Sequence, residues 1–489
     1  ARNCISVRSI HDDDACKNPL VDMIDDVFVQ RVKAIVGDNG MITNADDIAP
    51  FVRDWRGNYC GKTSLVVRPA NTQEVADVVG LCAETRTPIV PQGGNTGMVG
   101  GSVPDDSGTA IVLSLTRMNK IRGIDLANSA MTVEAGCILA VVQDAALASG
   151  RYFPLSLAAE GSCTIGGNLS TNAGGTAVLR YGNARDLVLG IEAVTPAGEI
   201  WHGLKALRKD NSGYDLKHLL MGAEGTLGII TAAVLKLFPN PQRSCTALIA
   251  VSDPAAAVEL LAAIQGAMGD RVTGFELMSR ICLDQVVKHF PATVEPFQAR
   301  HNWQVLVELT DTMKDTPLED ALSLALEPAF ESGKAVDAVI AASEAQSQAI
   351  WNIREHIPPA EKLQGKSVKH DISMPISTIA EFIRRGDAAL GAKFPEAEVI
   401  CFGHLGDGNL HYNLSFSGTP PTSAQTRVAN DIVYALLDEL VGSISAEHGL
   451  GQMKRDEITK HKSSVELNMM RAIKAALDPQ GIMNPGKVL

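Results

Sequence analysis

Short apolar runs alternate with helical periodicity through the first half of the chain. Residues 64–68 read as a strand. Asn71 then offers a helix N-cap, Glu74 sits three residues on, and the spacing predicts a helix to about Glu84. Strands are expected at residues 110–115 and 131–134. A helix over residues 137–148 is closed by Gly150, and a hairpin over 190–202 turns at Pro196-Ala197-Gly198. An apolar strand at 228–238 meets Pro239 and Pro241, which mark a boundary.

From Cys245 the rhythm changes to strand then helix: 246–251, 255–267, 303–309 and 318–330. A second round follows at 335–340, 343–356, 368–374 and 379–390, and a hairpin over 403–416 closes it. The pattern predicts an antiparallel sheet with helices on one face. The tail from Thr422 reads as two helices and a short strand near 443–446. The fold class expected is α+β, in four parts: a flexible extension (1–20), a two-part mixed α/β cofactor domain (21–240), an antiparallel-sheet substrate or cap domain (241–420), and a C-terminal helical segment packing back (421–489).

Charge narrows the partners. With 43 Lys+Arg against 56 Asp+Glu the formal charge is -13, which disfavours nucleic acid and anionic membrane, so an anionic substrate needs a local cluster of cations. The nine Cys are scattered without a Cys-x-x-Cys pair, which argues for free thiols in a reducing compartment. No apolar run reaches the roughly 18 residues of a membrane helix, and the acidic start carries no secretory signal. Cys4 and Cys16 there are expected to have no role.

Two glycine-rich stretches carry the first chemistry. Pro91-Gln92-Gly93-Gly94-Asn95-Thr96-Gly97 follows a short strand and continues to Gly101-Ser102, and its glycines allow backbone N–H groups to form a nest for a pyrophosphate. The second includes Gly166-Gly167-Asn168-Leu169-Ser170-Thr171-Asn172-Ala173-Gly174-Gly175, whose polar side chains could hydrogen-bond a cofactor. Neither is Gly-x-Gly-x-x-Gly, so a Rossmann site is not indicated. Gly365-Lys366-Ser367 looks like the end of a P-loop, but Ala360 stands where the first Gly belongs.

The second constellation is Gly403-His404-Leu405-Gly406-Asp407-Gly408-Asn409-Leu410-His411-Tyr412-Asn413. If Asp407-Gly408 is a two-residue turn, His404 lies directly opposite His411, and Asn413 shares the face of His411. With Glu447, which ends a short strand among glycines, this is a zinc or manganese donor set; two His in a hairpin can equally be packed or hydrogen-bonded. Asp407 is assigned to the turn.

Pro91 to Ser102, Gly166 to Gly175, Glu224-Gly225-Thr226-Leu227-Gly228 and Met483-Asn484-Pro485-Gly486-Lys487 together resemble the FAD-binding domain of the vanillyl-alcohol-oxidase-type flavoproteins. The later motifs resemble the branch of D-2-hydroxyglutarate and D-lactate dehydrogenases, from about residue 27 to the C-terminus. The resemblance implies FAD held by Pro91, Gly93, Gly94, Asn95, Thr96, Gly97, Gly166, Gly167, Asn168, Ser170, Asn172, Gly174, Gly175, Glu224, Gly225 and Asn484. Because covalent attachment in such families uses a His or Cys in the first loop, Asn95 and Thr96 imply non-covalent FAD. It further implies metal ligands His404, His411 and Glu447, a catalytic base His448, and substrate contacts from Arg354, Lys369, Asn413 and His448. Where members acting on the dicarboxylate carry a Thr shortly after the Arg, this chain has Pro358, which leaves the distal-carboxylate contact and the exact substrate open.

The reaction so implied is oxidation of a D-2-hydroxy acid to the 2-oxo acid, D-2-hydroxyglutarate first, with D-lactate or D-malate as the alternative. A metallohydrolase without flavin leaves both glycine loops unexplained, and a non-catalytic flavin binder leaves His448 without purpose. The partners expected are a small anionic 2-hydroxy acid and a soluble electron acceptor such as an electron-transfer flavoprotein, and a homodimer is compatible. The compartment expected is the cytoplasm in a bacterium and the mitochondrial matrix in a eukaryote.

Overall fold

The computed structural model describes residues 24–416 and 418–489. The expected extension over 1–20 lies outside the described residues. The first part holds two sheets. In one, Ile89–Gln92 and Val66–Val67 both run parallel to Ile111–Ser114, with Met41–Ile42 antiparallel at the edge. The helix Thr72–Thr85 covers it, entered as the pattern predicts: Asn71 accepts the Glu74 N–H (3.0 Å), and the Glu74 carboxylate takes the Ala70 N–H (2.7 Å). The other is a five-stranded antiparallel sheet built around Ile229–Lys236 and including the hairpin Val188–Val194 and Ile200–Gly203, which turns with Gly198 at φ +80°.

The second part is one antiparallel sheet in the order Ala335–Ile340, Arg243–Val251, Trp303–Asp311, Val272–Ser279, Glu398–His404, Asn409–Ser415, Ser367–Val368. Helices cover both faces, not one as expected. Along Arg243–Val251, Ala247, Ile249 and Val251 enter one core with the helices Pro254–Met268 and Leu318–Glu331. Leu248 and Ala250 enter another with Arg280–His289, Glu344–Glu355 and Ile357–Gln364. A strand buried on both faces reads as a continuous apolar run, so its alternation carries no sign of exposure.

Further elements depart from expectation. The strand Val272–Ser279 and the helix Arg280–His289 were not anticipated, and the first of these stands at the sheet's centre. The strand expected at 368–374 is broken into Ser367–Val368 and Asp371–Ser373, because His370 turns its ring to the Tyr412 carbonyl (2.8 Å) and Asn430 (3.0 Å). The tail holds three helices, Ser423–Glu439, Arg455–His461 and Ser464–Leu477, and the strand near 443–446 reduces to a single bridge from Ser443 to Ser373.

The tail closes on the first part. Met483 bridges Ile89, and Asn484 donates to the carbonyls of Gly101 (2.9 Å) and Glu224 (2.7 Å). Among the described residues, no helix is long and apolar enough to cross a membrane. Cys82, Cys137, Cys163, Cys245, Cys282 and Cys401 are buried free thiols. Burial raises their pKa, which leaves them chemically inert.

Candidate active site

The two glycine loops are in contact. A Cβ on Gly93 would stand 2.3 Å from Thr164 Oγ1, and one on Gly94 2.1 Å from the Ser162 carbonyl, so only glycine permits this approach. Gly166, Gly167, Asn168 and Ser170 lie on the short helix Ile165–Ser170, whose first turn faces that contact. Pro91 lies on the neighbouring strand Ile89–Gln92, with Thr96 and Gly97 beyond it. Three buried polar atoms around these loops have no partner: Thr164 Oγ1, Asn168 Nδ2 and Asn484 Oδ1. Buried polar atoms left unpaired cost about 1–3 kcal/mol each, so the cleft fits a large polar ligand such as FAD.

Two loop asparagines brace the loops. Asn95, at φ +53°, donates to the carbonyls of Pro50 (3.1 Å) and Arg53 (2.8 Å) and accepts from Ser102. Asn172, at φ +51°, accepts the Arg185 N–H (3.0 Å). Gly175 packs on the Ser156 carbonyl.

Glu224, one of the residues expected at the cofactor, accepts the N–H groups of Leu450 (2.7 Å) and Gly451 (2.9 Å). It stands at φ +51°, next to Gly225 at +72°. The stretch 446–451 that carries Glu447 and His448 is therefore tied to the first part of the fold. A Cβ on Gly174 would meet Glu447 Oε1 at 2.8 Å, which brings the second glycine loop against the same carboxylate.

His404, His411 and Glu447 converge, with one ligand atom of each within 4.8 Å of the others. The route differs from the expected turn. Phe402, not His404, pairs with His411, because Leu405–Asp407 forms a 3₁₀ turn after Gly403. His404 is thus the diagonal neighbour of His411, still within reach on the same face, with ring centroids 6.2 Å apart. Asp407 closes the turn by accepting the Asn409 N–H (3.1 Å), and burial raises its carboxyl pKa to about 6.

Glu276 and Asp371, two carboxylates that sequence reasoning missed, organise the cluster. Glu276 lies opposite His404 in the sheet, accepts at Oε1 from His404 Nδ1 (2.5 Å) and at Oε2 from Arg354 Nε (2.7 Å). That leaves His404 Nε2 facing Glu447 Oε1 at 3.8 Å. Burial lowers the His404 pKa, but Glu276 outweighs it and raises the value to about 9; burial raises Glu447 to about 7.

Asp371 accepts the N–H groups of Glu447 (3.0 Å) and His448 (2.9 Å) and the Asn409 amide (3.1 Å). It lies 3.4 Å from His448 Nδ1 and 4.0 Å from His411 Nδ1. Burial lowers the pKa of both imidazoles, with Asp371 opposing, and both are neutral at neutral pH. The only sequence signal for Glu276 is an acid inside an apolar strand; Asp371 has none beyond its place next to the strand break.

The expected substrate contacts divide. Arg354 is buried beside the cluster, with its guanidinium 4.9 Å over the Phe402 ring, and among the described residues its two N–H₂ groups have no hydrogen-bond partner. Lys369 pairs with the buried Glu361 and is about a third exposed (34%), so its ammonium keeps donors for a ligand. Asn413 is buried, accepts the His370 N–H and donates to Glu361 (both 3.0 Å), and so supports Glu361.

Residues 63–203 match the family described as FAD binding domain, and residues 240–488 match FAD linked oxidases, C-terminal domain. A mitochondrial D-2-hydroxyglutarate dehydrogenase of Arabidopsis thaliana is 38% identical over 475 residues, 97% of this chain and 83% of that protein. A D-2-hydroxyglutarate dehydrogenase of Xanthomonas citri pv. viticola is 37% identical over 450 residues, 91% of this chain and 93% of that one. An alkyldihydroxyacetonephosphate synthase structure superposes with a TM-score of 0.73 at 18% identity, covering 94% of this chain and 85% of its own, which is likeness of fold alone.

Proposed function

The chain belongs to the D-2-hydroxyglutarate dehydrogenases among the FAD-linked oxidases, and from that premise we propose that it oxidises D-2-hydroxyglutarate to the 2-oxo acid, with non-covalent FAD and a divalent cation. The observation that carries the reading is the place of the 446–451 stretch. Asp371 of the sheet holds one end and Glu224 of the first part holds the other, so Glu447 and His448 lie between the second glycine loop and the two histidines His404 and His411.

Bound FAD would supply the oxidising power by accepting hydride from C2 of the substrate. The donor set His404, His411 and Glu447 suits zinc, with manganese next, and a cation there would supply Lewis acidity toward the C2 hydroxyl. Glu276 would fix the His404 tautomer, since a proton on Nδ1 leaves Nε2 free as a donor. His448 is the base: a neutral imidazole whose Nδ1 faces Asp371 can take the hydroxyl proton at Nε2, and Asp371 would stabilise the cation that results. Arg354 and Lys369 would bind carboxylate oxygens, each already oriented by a buried carboxylate. Closure of the glycine loops on the cleft would exclude water.

Two measurements test this. Acid precipitation should release a yellow chromophore into the supernatant, and colour retained in the pellet would overturn non-covalent binding. In a panel of D- and L-2-hydroxy acids assayed by dye reduction, D-2-hydroxyglutarate should give the highest kcat/KM and the L-acids none; preference for D-lactate or D-malate would reassign the substrate.

A further inference from the structure

The helix Glu344–Glu355, which carries Arg354 in its last turn, makes one polar side-chain contact with each of three strands that are neighbours in the sheet. Ser347 shares a hydrogen bond with Thr246 of Arg243–Val251 (2.7 Å). Trp351 Nε1 donates to Glu308 Oε1 of Trp303–Asp311 (3.0 Å), and Arg354 Nε to Glu276 Oε2 of Val272–Ser279 (2.7 Å). Positions 347, 351 and 354 lie on one helix face, at i, i+4 and i+7. From the first to the last the axis rises roughly 10 Å at about 1.5 Å per residue, and two strand spacings of about 4.8 Å come to nearly the same. The helix therefore steps one strand per contact, and a slip along its axis would break all of them together.

The middle contact has a seat built for it. The indole packs on Gly274, where a Cβ would stand 3.5 Å from Trp351 Cζ2 and Cη2. Gly274 pairs with Glu308, and the register shift between Val272 and Gly274 accompanies a bond from the Thr273 hydroxyl to Glu308 Oε2 (2.8 Å). Thr273 and Trp351 thus take one carboxylate oxygen each. Burial raises the Glu308 pKa, with both donors opposing. An aliphatic side chain would fill such a place at lower cost, so stability alone does not account for the carboxylate.

The last contact needs that support. Glu276 holds Arg354 through Nε, and one hydrogen bond leaves the planar guanidinium free to swing about it. Two parallel N–H bonds to a substrate carboxylate require the plane to be fixed. The backbone at residue 354 fixes it only as well as the helix itself is held over the sheet.

We propose that Trp351 and Glu308 are positioning residues: their bond sets the axial register of this helix and so aims the N–H₂ groups of Arg354 at a substrate carboxylate. The assignment rests on the role given to Arg354 above. Neither residue touches the substrate, and both act through the guanidinium one helical turn further on.

The test is a double-mutant cycle in the loaded enzyme with D-2-hydroxyglutarate. Trp351→Phe keeps a ring over Gly274 and deletes the N–H. Its kcat/KM should fall about 5- to 50-fold, mainly through KM, somewhat under the roughly 10²-fold that a misplacement of about 1 Å can cost. Glu308→Leu should lose as much, whereas Glu308→Gln, which keeps an oxygen for the indole N–H, should lose less than about 3-fold. In an Arg354→Ala background, Trp351→Phe should cost less than about 2-fold, because the group it aims is gone. Normal kcat/KM in Trp351→Phe, a loss confined to kcat, or the same loss in both backgrounds would overturn the assignment. Unchanged KM in Arg354→Ala would overturn the substrate role of Arg354 itself, and this assignment with it.

Discussion

Stripping the cation with a chelator, or His404→Ala, should lower turnover by about 10³-fold or more while the flavin spectrum stays in place. Lewis acidity at a hydroxyl is worth several kcal/mol, and about 4 kcal/mol corresponds to about 10³ in rate. Zinc or manganese should restore the chelated wild type and not His404→Ala. Glu276→Gln provides the finer test. It keeps the shape but loses the charge that orients His404, so cation affinity should fall about 10- to 100-fold, the usual cost of an outer partner. Normal turnover in His404→Ala, with no metal found in the wild type, would leave the cluster a packing motif.

His448→Ala should cut flavin reduction by about 10²–10⁴-fold, the scale of a lost acid–base group, with FAD and metal content unchanged. The side chain is half-buried beside Asp371, and among the described residues no other neutral imidazole of the cluster is free for the role: His411 is in the donor set. Reduction in the variant should partly recover as pH rises, because the hydroxyl can then lose its proton to solvent base. Asp371→Asn is the companion variant. It removes the negative charge beside the imidazole and disturbs two backbone hydrogen bonds, so it should lower the rate while keeping the yellow colour. A near-normal reduction rate in His448→Ala with metal retained would show that the proton leaves by another route.

The parts legible in the sequence were those with local signatures. The Asn71 cap, the turn at Gly198 and the two glycine loops each declare themselves within a few residues, and so does the crowding of His and carboxylate at 404–411 and 447–448. What was not legible depends on register between distant segments. Glu276 becomes a partner of His404 only because Val272–Ser279 pairs with Glu398–His404. Asp371 reaches the 446–451 stretch through a strand broken by its neighbour His370. A two-residue Asp-Gly turn was the natural reading of 407–408; the structure uses a longer 3₁₀ turn, and the sheet slips by two positions without changing the face of His404.

The bridge between Ile89 and Met483 also bears on how the protein is made. Strand Ile89–Gln92 obtains its last hydrogen-bonded neighbour, and Gly101 its side-chain donor from Asn484, only when the far end of the sequence is available. At a synthesis rate of about 5–20 residues per second, the interval between residues 89 and 483 is roughly 20–80 s. For that time the first glycine loop has its strand but not its lock, and apolar surface at Ile89 that Met483 will cover stays open. FAD can be held in its finished form only after that interval, so premature chain termination near residue 480 should yield a colourless product that binds chaperones, even with every residue of the cofactor loops already in place.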